Sequence, residues 1–97
     1  MTQPQPQGNE IQIKVDDRTL QGAYANAMQV QHTREEFVLD FLNIFPPTGT
    51  LNARVIVSPG HLKRMIAALV DNLKKYETNF GSVNPAEAPA EIGFQAK

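Results

Sequence analysis

Two apolar runs, residues 23–30 and 37–45, alternate with a period of two and carry apolar side chains on both of their faces. In the first, Tyr24, Asn26, Met28 and Val30 share one face, and Ala23, Ala25, Ala27 and Gln29 share the other. In the second, Phe37, Leu39, Phe41 and Phe45 oppose Val38, Asp40, Leu42 and Ile44. That period is the signature of β-strands. A sheet face left to water reads polar, and neither face of this pair does. The chain must therefore build a sheet that needs cover on both sides.

The rest of the order follows from local chemistry. His32-Thr33-Arg34-Glu35 separates the two runs as a polar turn. Residues 46–50, opening with Pro46-Pro47, cannot continue a ladder and are expected as a loop. A third run, residues 51–57, carries Leu51, Val55 and Val57. Pairing Gln31 with Glu36 and Phe45 with Leu51 gathers Tyr24, Met28, Val30, Phe37, Leu39, Phe41, Val55 and Val57 on one face, and a slip of one residue would mix the faces. Upstream, Ile11, Ile13 and Val15 alternate with Gln12 and Lys14, which predicts a fourth, half-buried strand.

After Val57, Ser58 can accept from the first free N–H groups of a helix, and Pro59 suits its first position. Leu62, Met65, Ile66, Leu69, Leu73 and Tyr76 then keep the spacing of one helical face, and Gly81 is a plausible stop. The expected fold is α+β: an antiparallel four-stranded β-meander followed by one long amphipathic C-terminal helix packed on the large-residue face of the sheet.

A chain of 97 residues makes one domain, placed at residues 10–81. Residues 1–9, rich in Gln and Pro, read as a disordered tail, and residues 82–97, rich in Ala, Pro and Glu, as a flexible one. Ile92 and Phe94 are the apolar exceptions in that second tail. Cysteine is absent, which excludes disulfides and thiolate metal sites. The first residues lack the basic start and apolar core of a signal peptide, and no apolar run approaches the ~18 residues of a membrane span. A cytoplasmic protein is expected, with no membrane association. Nine Lys and Arg balance ten Asp and Glu, without the basic footprint of nucleic-acid binding.

One helix about 10 Å across covers roughly half of a four-stranded sheet face. The other face would present Ala23, Ala25, Ala27, Val38, Leu42, Ile44 and Ile56, interrupted by Asp40 and Arg54. A flat, mostly apolar patch of this kind marks an interface, so the chain is expected to form a homo-oligomer, a dimer or tetramer, through these nine residues. Asp40, near Arg54 across strands, is read as one half of an ion pair rather than a general acid. His32 and His61 lack partners at metal-ligand spacing. Asn26, polar on a core face, is expected to bond a neighbouring backbone. No catalytic, cofactor or metal site is expected.

The phrases Tyr24-Ala25-Asn26, Glu36-Phe37-Val38-Leu39-Asp40-Phe41 and Arg54-Val55-Ile56-Val57-Ser58-Pro59-Gly60-His61-Leu62-Lys63-Arg64, with Leu73-Lys74-Lys75-Tyr76-Glu77 at the helix end, resemble the small bacterial family catalogued as domain of unknown function 3467. Gly60 stands where that family pattern often has Glu, which weakens the helix start without changing the fold. The family brings no established activity. More distantly, four meander strands and a long helix are similar in order to half of the export chaperone SecB, whose relatives pair sheets across subunits and bind unfolded chains; this chain lacks that chaperone's acidity and length. The expected function is a non-enzymatic, oligomeric protein- or peptide-binding module. The alternative is a nucleic-acid-associated accessory protein using the helix flank of Lys63, Arg64, Lys74 and Lys75.

Overall fold

The structure, a computed structural model, describes residues 10–87. Its elements run in the order α1 (Asp17–Gln21), β1 (Ala27–His32), β2 (Phe37–Phe45), β3 (Thr48–Val57) and α2 (Pro59–Phe80). Of the expected tails at 1–9 and 82–97, residues 1–9 and 88–97, with Ile92 and Phe94, lie outside the described residues, and residues 82–87 form no helix or strand. β1, β2 and β3 form one antiparallel sheet in that order, so the fold is α+β with a C-terminal helix.

The sheet has three strands, not four. Residues 11–15 form no strand, and Ile11 and Ile13 are 85% and 83% exposed. Alternation alone does not make a strand; it needs an edge to pair with, and this segment pairs with none. Asp16 ends it instead by capping the single turn of α1, its carboxylate accepting from the Thr19 N–H at 2.7 Å.

β2 lies in the centre because its composition allows nothing else. Phe37, Val38, Leu39, Phe41, Leu42 and Ile44 leave no polar face to give to water. Among the described residues the buried ones, Leu39, Asp40 and Leu42, all belong to it. The β1–β2 turn is held by Thr33, whose N–H donates to the Glu36 carbonyl (2.9 Å) and whose hydroxyl accepts from the Glu35 and Glu36 N–H groups (3.2 Å each). This turn sets Val30 opposite Leu39 rather than Phe37. The slip from the expected register is of even length, so each side chain keeps its face.

The β2–β3 turn is tighter than the expected loop of residues 46–50. Only Pro46 and Pro47 lie outside the ladder, where their missing N–H groups cost nothing, and Thr48 already pairs with Phe45. Opposite Ile44 sits Gly49, where a Cβ would come within 3.2 Å of the isoleucine side chain. Further along, Phe41 pairs with Ala53 but Leu42 with Leu51, so Asn52 is the extra residue of a β-bulge. The bulge moves Leu51 away from the expected Phe45 and onto the face of Leu42.

α2 begins and ends where its sequence signals stand. The Ser58 hydroxyl accepts from the His61 N–H at 3.2 Å, Pro59 opens the helix, and Gly81 closes it at φ 94°, its N–H donating to the Glu77 carbonyl at 2.9 Å. The expected packing of this helix on the sheet does not occur. No residue of α2 is buried; Leu62 and Met65 near its start are half-buried, and the stripe beyond them is exposed. The cause lies at the junction. One residue, Ser58, joins β3 to α2, and it is extended (φ −73°, ψ 156°). Turning a helix back onto its own sheet takes a connection of about two to six residues.

Candidate interaction surface

The small-residue face is organised around an ion pair. Asp40 and Arg54 lie directly opposite each other in the β2–β3 register, closer than the expected diagonal. Arg54 Nε donates to Asp40 Oδ1 at 2.7 Å and Nη2 to Oδ2 at 2.8 Å, a two-pronged pairing. Asp40 is 2% exposed, whereas the Arg54 side chain remains half open to solvent. The hydrogen bonds from Arg54 hold the Asp40 carboxyl below its usual value, against the opposing effect of burial and with help from the guanidinium charge. A carboxylate with both oxygens engaged and its proton affinity lowered is poorly placed to donate a proton.

Around this pair the sheet brings together Val38, Leu42 and Ile44 of β2, Ile56 opposite Val38, and Ala27 opposite Leu42. Ala23 and Ala25 lie before β1 rather than in it; Ala23 is exposed and Ala25 half-buried. Leu42 is buried within the chain itself, and Ile56 is the large side chain of this group left exposed. The segment leading into β1 is tied down by two amides. Asn26 Oδ1 accepts from the Ile44 N–H at 2.8 Å while its Nδ2 donates to the Ile44 carbonyl at 2.9 Å, and the Asn26 N–H donates to the Leu42 carbonyl at 2.9 Å. The side chain thereby stands in for one more residue of strand pairing, the backbone bond its position called for. From the bulge, Asn52 Nδ2 donates to the Tyr24 carbonyl.

The large-residue face carries no charge. Phe37, Leu39 and Phe41 of β2 lie between His32, Val30 and Met28 of β1 and Val57, Val55 and Ala53 of β3. Leu39 at its centre is buried, but Met28 is 56% exposed and Val30 and Val55 are also open. Sequence reasoning reserved this face for α2 and so missed it as a surface. The signal was present: only Ser58 stands between the last strand residue and the helix-opening Pro59.

On α2, the exposed stripe comprises Ile66, Leu69, Leu73 and Tyr76, with Leu69 66% and Leu73 52% exposed, and Tyr76 packs its ring against Phe80 (centroids 5.0 Å apart). On the flank, Asp71 neutralises Lys75 at 3.2 Å, whereas Arg64 keeps its charge while its Nη2 donates to His61 Nδ1 at 2.9 Å. His32 packs against Phe37 (5.3 Å between centroids). Among the described residues no group of three or more His, Asp or Glu could hold a metal ion, and no helix is long and apolar enough to cross a membrane.

Comparison with curated proteins and with solved structures returned no match. The element order that resembled SecB also loses its fourth strand. A family profile does match, over residues 1–85: the chain belongs to the family described as Protein of unknown function (DUF3467).

Proposed function

We propose that this DUF3467 member is a non-enzymatic module that self-associates, as a dimer or tetramer, and binds a protein or peptide partner. The observation carrying this reading is the apolar surface left open on two elements of one small chain, the sheet at Met28, Val30 and Val55 and the helix at Leu69 and Leu73. Large exposed apolar patches on small domains are interaction surfaces. In a sheet of order β1-β2-β3, β1 and β3 each keep one edge without a neighbouring strand among the described residues, and such an edge can take an extended peptide by backbone pairing. The Asp40–Arg54 pair serves to fix the sheet register. A cytoplasmic location fits a chain without cysteine.

The nucleic-acid reading draws less support, because the open faces are uncharged and two of the flanking cations already face partners within the helix. Fluorescence anisotropy separates the two. A labelled, uncharged apolar peptide of about ten residues, long enough for one strand edge, is expected to bind saturably and equally at low and physiological salt. Binding of a DNA or RNA oligonucleotide that collapses with added salt would favour the accessory role instead. Failure of both probes would reject the module.

A further inference from the structure

The two open apolar surfaces of this chain match each other, yet the structure holds them apart. We infer that the α2 stripe docks on the large-residue sheet face of a second copy, in a reciprocal two-fold exchange. This rests on the self-association part of the proposed function and names its geometry.

The chemistry of the two surfaces agrees. The stripe of Ile66, Leu69, Leu73 and Tyr76 and the face exposing Met28, Val30 and Val55 contain no charged side chain, so docking them desolvates no ion. Their dimensions agree as well. From Ile66 to Phe80 a helix rises about 21 Å at 1.5 Å per residue, and the nine residues of β2 span about 27–30 Å.

The connection supplies the reason for exchange. With only Ser58 between β3 and α2, the helix leaves the sheet and carries its stripe outward. Short connections between a domain and a terminal element promote swapping, because the same contacts form between copies without the tight reversal. A two-fold axis then satisfies both chains at once and closes the assembly at two. The area is of the right order. Roughly 150–200 Å² for each of these seven apolar side chains, about half of it exposed, gives on the order of 500–700 Å² per copy over both surfaces, somewhat below the ~800 Å² per partner of a standard interface. Ile56 and the strand edges stay outside this contact and remain available to another partner.

The absence of native cysteine makes the test direct. Chains carrying Met28→Cys and chains carrying Leu69→Cys are unfolded together, refolded as a mixture, oxidised mildly and mapped by peptide mass spectrometry, with light scattering on the unmodified chain alongside. In such a mixture a disulfide between the two positions can only join different chains. The expected result is a twofold solution mass and a dominant link between positions 28 and 69, lost when the second chain also carries Leu73→Asp. A twofold or fourfold mass without that link would overturn the helix exchange while leaving self-association standing. A monomeric mass at every concentration would overturn both.

Discussion

Asn26, exposed at the mouth of β1, and Asp40, buried in β2, each make two side-chain bonds that fix the sheet. Removing the amide with Asn26→Ala leaves the Ile44 N–H and carbonyl without their partners, and a loss of about 1–3 kcal/mol is expected, read as a lower urea midpoint. Asn26→Asp keeps the acceptor but not the donor and should fall between. For Asp40 the observable is pH. Its folded-state value is depressed below the ordinary 3.8 by Arg54, so its contribution to stability is present above that value and is lost as pH falls through it toward the folded-state value. Asp16, held down by its hydrogen bonds from Thr19, titrates in the same direction. Urea midpoints measured from neutral pH to below 3.8 should therefore drop at the acid end for the native chain, less for Asp40→Asn, and least for Asp40→Asn combined with Asp16→Asn. An unchanged acid limb in Asp40→Asn would mean that the pair with Arg54 does not set it.

At the scale of elements, β2 and α2 were legible in the sequence because each carries its instruction locally: apolar residues on both faces in one, Ser58-Pro59, a 3,4 spacing and Gly81 in the other. The faces of β1 and β2 were also legible, since an even slip preserves them, while β3 changes face only beyond the bulge at Asn52. What was not legible depended on partners. Whether Ile11, Ile13 and Val15 form a strand is decided by a free edge and not by their own alternation. The bulge at Asn52 and the Pro46-Pro47 turn shift pairing by amounts no periodicity encodes. Of the nine residues expected on the small-residue surface, Leu42 is buried within the folded chain itself. Leu42→Ala is accordingly expected to cost about 2–5 kcal/mol, with loss of the folded state rather than simple dissociation for Leu42→Asp, checked by circular dichroism and denaturant titration. The junction offers a sharper experiment. Inserting about four Gly and Ser residues between Ser58 and Pro59 brings the connection into the range that lets a helix fold back on its own sheet, and the chain should then become a well-folded monomer.

At the scale of the molecule, the described residues form a sheet around one central strand and a long helix that leaves it, and neither of these is covered by the other. Small domains bury too little surface to tolerate such openness alone; one of about this size hides only roughly 60–65% of its unfolded area even when fully packed. In the proposed dimer a second copy would remove the difficulty without any further residue, because each chain would supply both halves of the contact. The most direct test is the solution mass of the native chain by light scattering across a dilution series, beside the double variant Leu69→Asp with Leu73→Asp. The native chain should hold at twice the 10.8 kDa of one chain and the variant at once that mass, with a lower urea midpoint because its sheet face stays uncovered. A native chain at 10.8 kDa throughout, or a variant of undiminished mass, would contradict the covering of α2 by a second copy.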